Sequence, residues 1–146
     1  MFAAIVVGTD GSETASKAVS EAAQLAASAG ARLLVVSAFE PRAAARRREE
    51  ELSPADRQWL VNVREEVGAT LRAAREEAEA QGVRVDTFAR QGDPADAILD
   101  VAEEQRADLI VVGNKGMTGA KRFLLGSVPN KVSHHAPCSV LIIRTS

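Results

Sequence analysis

Short apolar runs and helically spaced stripes take turns from one end of this chain to the other, and that alternation restricts it to very few folds. Ala3 to Val7 is almost continuously apolar, the pattern of a strand covered on both faces. Ser12 then offers a helix cap, Ala15, Ala18, Val19, Ala22, Ala23, Leu25 and Ala26 follow at helical spacing, and Gly30 stops the helix. "RLLVVSAF" (Arg32 to Phe39) reads as the second strand. Ser53-Pro54-Ala55-Asp56 opens a second helix with a cap, a proline at the first helical position and an acid in the first turn. Leu60, Val63, Val67, Leu71, Ala74 and Ala78 trace its buried face, and Gly82 stops it. Val83, Val85 and Thr87 alternate as a third strand. Asp93-Pro94 repeats the capping device before "ADAILDVAEEQ", and "ADLIVVG" is a fourth buried strand. Ser127 is placed to cap a short helix running to about His135, Pro137 ends it, and "CSVLIIRT" is a fifth buried strand.

This order predicts one α/β domain over residues 1–146, an open and mostly parallel sheet with helices on both faces. The chain is too short for an eight-fold barrel. Its 46% apolar content comes largely from Ala and Val, with four Phe, one Trp and no Tyr, as expected for alanine-rich helices on valine-rich strands. Glu40 to Glu51 breaks the rhythm with a basic cluster beside an acidic one and no apolar stripe, so it reads as a solvated, mobile connection.

The bulk numbers exclude several classes of function. A net charge of −2 gives no reason to expect nucleic acid or membrane surfaces as partners. One cysteine, Cys138, excludes an internal disulfide, and no paired Cys/His set offers a metal site. "MFAAIVVGTDG" reads as a first strand rather than a leader, and no apolar run is long enough to span a bilayer. The expected location is the cytoplasm.

Open α/β sheets bind ligands beyond the carboxyl ends of strands, where neighbouring connections diverge. Two strand ends carry polar, glycine-containing sequences: Gly8-Thr9-Asp10-Gly11-Ser12, and Gly113 to Ser127. In the second, Gly113 and Gly116 are expected to take left-handed or crowded conformations that let an anion reach backbone amides. Gly126-Ser127 opens a helix whose free amides and dipole suit a phosphate. Lys115, Lys121 and Arg122 are near enough in sequence to add positive charge. Asp10 suits ribose hydroxyls, and the backbone around Ala38 could meet an adenine edge. Neither the P-loop spacing nor the dinucleotide Gly-x-Gly-x-x-Gly pattern is present.

"VVGTDGSE", "GDPADAI" and Gly113-x2-Gly116-x9-Gly126-Ser127, followed by "SVPNKVSHHAPCSVLII", resemble the universal stress protein family, and within it the ATP-binding subgroup. The resemblance implies a Rossmann-like, five-stranded parallel sheet in the order 3-2-1-4-5, of the adenine nucleotide alpha hydrolase type. It implies homodimers through the last strand, Ser139 to Thr145, acting as a regulatory or sensor module toward an unidentified protein partner. Carried over by position, Asp10 holds ribose with Gly8 and Thr9 beside it, and Ala38 and Val112 flank adenine. Gly113, Asn114, Lys115 and Gly116 wrap ribose and phosphates, while Gly126, Ser127 and Val128 bind the phosphate chain. ATP, with magnesium, is the implied ligand; cyclic AMP, AMP and ADP are the alternatives, because Pro129 brings neither a hydroxyl nor an amide hydrogen to the terminal phosphate.

Catalytic residues are not evident. An ATPase needs a group that orients water, and near the expected phosphates the sequence supplies lysine and arginine rather than carboxylate or histidine. His134 and His135 fall in a last helical turn, where cations are favourable in any case. Cys138 reads as a small core residue, and Trp59 as packing for the second helix, on this chain or on a partner subunit. Slow ATP hydrolysis at most, or a structural dimer for which nucleotide is incidental, are the competing readings.

Overall fold

The computed structural model describes residues 2–39, 51–114 and 125–145. Strands and helices alternate as β1 (Ala4–Gly8), α1 (Glu13–Ala29), β2 (Arg32–Phe39), α2 (Pro54–Glu79), β3 (Val85–Gln91), α3 (Pro94–Glu104), β4 (Leu109–Gly113), α4 (Ser127–His135) and β5 (Ser139–Ile143). The caps of the first three helices act as the sequence predicts. Ser12 Oγ accepts from the Ala15 amide at 3.2 Å, and Gly30 closes α1 with φ 68. Ser53 Oγ accepts from the Asp56 amide at 3.1 Å and donates to the Asp56 carboxylate at 2.7 Å. The Asp93 carboxylate takes the Asp96 amide at 3.0 Å, ahead of Pro94. Each such cap is worth about 1 kcal/mol.

All neighbouring strands are parallel, in the order β3-β2-β1-β4-β5. Side chains alternate between two layers, as strand geometry requires. Ile5, Val7, Leu33, Val35, Leu109 and Val111 pack under α1 and α2. Ala4, Val6, Leu34, Val36, Ile110 and Val112 pack under α3 and α4. Leu33, Leu34 and Ile110 are fully buried, and each such side chain contributes about 1.5–3 kcal/mol. The alanines of α1 let its backbone lie close to the sheet; Ala22, Ala23 and Ala26 are completely covered.

At the amino ends of the strands, Asp108 accepts from the amides of Ala3, at 2.9 Å, and Ala4, at 3.1 Å, tying the start of β1 to the start of β4. Partial burial pushes its carboxyl upward, but the amide hydrogen bonds outweigh this and hold it below the usual carboxylate range.

β5 departs from expectation. It is not buried on both faces: Leu141 and Ile142 are 40% and 39% exposed, while Val140 and Ile143 pack against the two core layers. The reason is position, since β5 is an edge strand paired only with β4. Boundaries elsewhere shift slightly: β1 runs to Gly8, and Val83 precedes β3. Of the charged segment, residues 40–50 lie outside the described residues. Beyond it, Leu52 is buried with Leu60 against Phe39 and Trp59, so the single tryptophan packs within this chain. Among the described residues, no helix is long and apolar enough to cross a membrane.

Candidate functional site

The order of the strands reverses between β1 and β4, which pair directly as Ile5↔Leu109, Val6↔Ile110 and Val7↔Val111. From β1 the chain leaves toward the α1/α2 layer, and from β4 toward the α3/α4 layer. A crevice therefore opens above their carboxyl ends. It is lined by Gly8 and Gly113 at the strand ends, by Ser12 and Thr14 from the start of α1, and by Val128 and Pro129 from the start of α4.

The β1–α1 turn satisfies its own donors. Thr9 continues the ladder by donating its amide to Val36 O at 2.8 Å. The Gly11 amide bonds Thr9 Oγ1 at 3.1 Å, and the Ser12 amide bonds Asp10 Oδ1 at 2.9 Å, after which Ser12 caps α1. Gly11 sits at φ +83, and a Cβ there would lie 2.9 Å from Thr70 Oγ1. Glycine is required at this point.

The entry to α4 is built differently. Gly113 is still a strand residue, opposite Ile143. The Asn114 amide donates to Ile143 O at 2.7 Å, and the Gly126 amide donates to Asn114 O at 3.0 Å. Gly126, not Ser127, is the N-cap of α4, with φ −62 and ψ 163, and among the described residues no side chain caps the helix. The helix begins one residue earlier than the sequence reading placed it. Ser127 occupies the first helical position, from which its hydroxyl does not fold back over the open amides. Ser127 and Val128 thus present amides at the positive end of a helix dipole, and Pro129, buried beside them, has no amide to add. Lys131 of α4 is turned toward α3, at 2.8 Å from Asp96 and 3.4 Å from Asp93. Its hydrogen bond to Asp96 is the main reason its pKa is raised.

Gly8, Val112, Gly113 and Val128 line the crevice, and Gly126 and Ser127 stand at the start of its α4 wall. Asp10 is exposed, and its second oxygen takes no hydrogen bond among the described residues. Thr9 faces elsewhere: it is buried and borders a separate groove between α1 and α2 with Thr70 and Glu77. Ala38 lies half-buried on β2 against the α3 layer and does not line the crevice. Asn114 directs its side chain to Thr145. Gly113 has no left-handed conformation; among the described glycines only Gly11, Gly30, Gly82 and Gly92 do, because Gly113 is held extended by its ladder to β5. Lys115, Gly116, Lys121 and Arg122 lie outside the described residues.

Ile98 and Thr14 were not legible as crevice residues. Ile98 is found only through packing: a Cβ on Gly8 would stand 2.5 Å from its Cδ1. His134 and His135 are exposed at the end of α4. Cys138 is half-buried against the α3/α4 layer, and burial together with the Asp108 charge pushes its thiol up, which disfavours the thiolate.

A family model described as the Universal stress protein family matches residues 1–144. The chain belongs to that family. This universal stress protein is 38% identical, over 146 residues, to the universal stress protein Rv1636 of Mycobacterium tuberculosis, covering 99% of this chain and 98% of the relative. Among solved structures, a universal stress protein in complex with cAMP matches with a TM-score of 0.74 at 35% identity, covering 99% and 98% of the two chains. A universal stress protein from Archaeoglobus fulgidus in complex with dAMP matches with a TM-score of 0.70 at 27% identity, covering 97% and 98%. The Rossmann-like sheet of this universal stress protein is thus that of its family.

Proposed function

We propose that the protein binds an adenine nucleotide, ATP foremost, in the crevice between β1 and β4, and serves as a dimeric regulatory module whose surface reports occupancy. The observation that carries this reading is the amino end of α4, which borders the crevice and, among the described residues, has no side-chain cap. Two relatives solved with cAMP and dAMP support the adenine nucleotide class. In this reading the amides of Ser127 and Val128 hold phosphate beside the Gly126 cap, Asp10 takes ribose through its open oxygen, and Val112, with the β2 backbone rather than the Ala38 side chain, meets the base. Gly8 and Gly113 shape the floor, and Lys115 and Gly116 complete the set implied by the family motif. Magnesium would arrive with the phosphates of ATP.

Pro129 favours a second reading. Without its amide, the first turn of α4 has fewer donors for a phosphate chain, which suits cyclic AMP or AMP. Hydrolysis is not part of the proposal: among the described residues lining the crevice there is no carboxylate, glutamine or histidine to orient water. The dimer is proposed to form through β5, supported by Leu141 and Ile142 standing exposed on an edge strand.

The test is to denature freshly purified protein, identify released nucleotide by chromatography, and titrate the emptied protein with ATP and cyclic AMP. Retained or tightly bound ATP supports the first reading, and preference for cyclic AMP the second. Binding of neither overturns both.

A further inference from the structure

Thr145 carries a contradiction that the nucleotide reading does not absorb. It lies two residues beyond an edge strand whose Leu141 and Ile142 are about 40% exposed, yet this polar residue is only 3% exposed. Burying a polar residue requires partners, and its partners are specific. Its amide and hydroxyl both donate to Asn114 Oδ1, at 2.9 and 3.3 Å. A backbone amide can only donate, so the oxygen of the Asn114 amide must face it. On the other side, Lys17 of α1 donates to Thr145 O at 3.4 Å.

Asn114 is the junction through which this reaches the site. Its amide extends the β4–β5 ladder to Ile143 O at 2.7 Å, and its carbonyl receives the Gly126 amide at 3.0 Å. That last bond sets the distance between the end of β4 and the N-cap of α4. With its side chain held by Thr145, Asn114 cannot rotate without breaking a buried hydrogen bond. With its carbonyl held by Gly126, any rotation would displace the start of the anion cradle. A binding site keeps its geometry only when such supporting residues are themselves locked.

We propose that Thr145 is a positioning residue for nucleotide binding, acting through Asn114 to hold Gly126 and the first amides of α4 in register with the crevice floor. The inference rests on the reading that those amides bind phosphate. It also gives Asn114 a role different from wrapping the ligand: its side chain faces β5, and its main chain fixes the cradle.

Isothermal titration with ATP and, in parallel, with adenosine distinguishes positioning from general structural support, because adenosine makes no use of the cradle. Asn114→Ala removes the acceptor and should weaken ATP by about tenfold, leaving adenosine within about twofold of the parent. Thr145→Val keeps the main-chain bond and loses the hydroxyl, so it should weaken ATP by about threefold, and Thr145→Ser should restore it. Thr145→Val carries the test if Asn114→Ala fails to fold. Equal loss of both ligands, or unchanged ATP affinity in folded variants, overturns the inference alone. A parent protein that binds no nucleotide overturns the proposed function, and the inference with it.

Discussion

The two turns that flank the crevice begin alike and end differently. Each leaves its strand on a glycine, Gly8 or Gly113, and each enters a helix. The β1–α1 turn closes on itself: Thr9, Asp10 and Ser12 supply side-chain oxygens to the amides of Gly11, Ser12 and Ala15. The β4–α4 connection uses backbone bonds at its base and, among the described residues, leaves the first turn of α4 without a side-chain cap. A turn that satisfies its own donors can shape a pocket, whereas one that leaves them open can hold an anion. On the proposed function, the sugar falls to the first turn and phosphate to the second.

The sharpest way to break this contrast is to place a carboxylate at the open end. Ser127→Asp should weaken ATP binding at least about tenfold through repulsion, while stabilising the fold by about 0.3–1 kcal/mol through the helix dipole. Paired calorimetric titration and chemical denaturation read the two opposite signs, and weakened stability with unchanged affinity would erase the distinction between the turns.

Gly11→Ala probes the closed turn, where the left-handed backbone and Thr70 leave no easy place for a methyl group. It should cost about 1–2 kcal/mol of stability, measured by urea unfolding. A neutral outcome would mean that the turn relaxes freely. Capping gives a finer comparison: Ser12→Ala should cost about 1 kcal/mol, and Ser127→Ala only a few tenths, because Ser127 is not the cap. Equal costs would place the start of α4 at the wrong residue.

The smallest effect lies at the opposite end of the same two strands. The depressed Asp108 carboxyl contributes stability that is fully present above its unfolded pKa and is lost as pH falls through the lower folded value. Asp108→Asn should flatten that acid limb in a pH series of denaturation curves. Nucleotide affinity at neutral pH should not change, since Asp108 sits at the amino ends of β1 and β4. A drop in affinity would show that the crevice depends on more than its two turns.

Much of this was legible in the sequence because it is written locally. Serine or aspartate followed by proline marks helix starts, alanine stripes mark α1, and valine runs mark the central strands. The crevice could be anticipated from glycines at two strand ends, and the family resemblance supplied the strand order that joins them. Two of the misses depend on contacts distant in sequence. Ile98 meets Gly8 only after α3 packs, and Asn114 meets Thr145 only through the β4–β5 register. Thr9 and Ala38 have suitable residue types, but side-chain alternation turns Thr9 toward the α1/α2 groove and Ala38 toward α3. Apolar composition marks β5 as a strand without revealing that it sits at an edge. The choice between Gly126 and Ser127 as cap turned on a single residue, because serine is the better cap in general and glycine occupies the position here.

In the proposed site the open amides of α4, and not the closed turn before α1, receive the anionic end of the ligand. Backbone amide chemical shifts of labelled protein, followed by NMR during titration with ATP, test it directly. The account predicts that Gly126, Ser127 and Val128 move most, with the first turn of α1 moving little. Dominant shifts at Ser12 to Ala15, with the start of α4 unmoved, would contradict it.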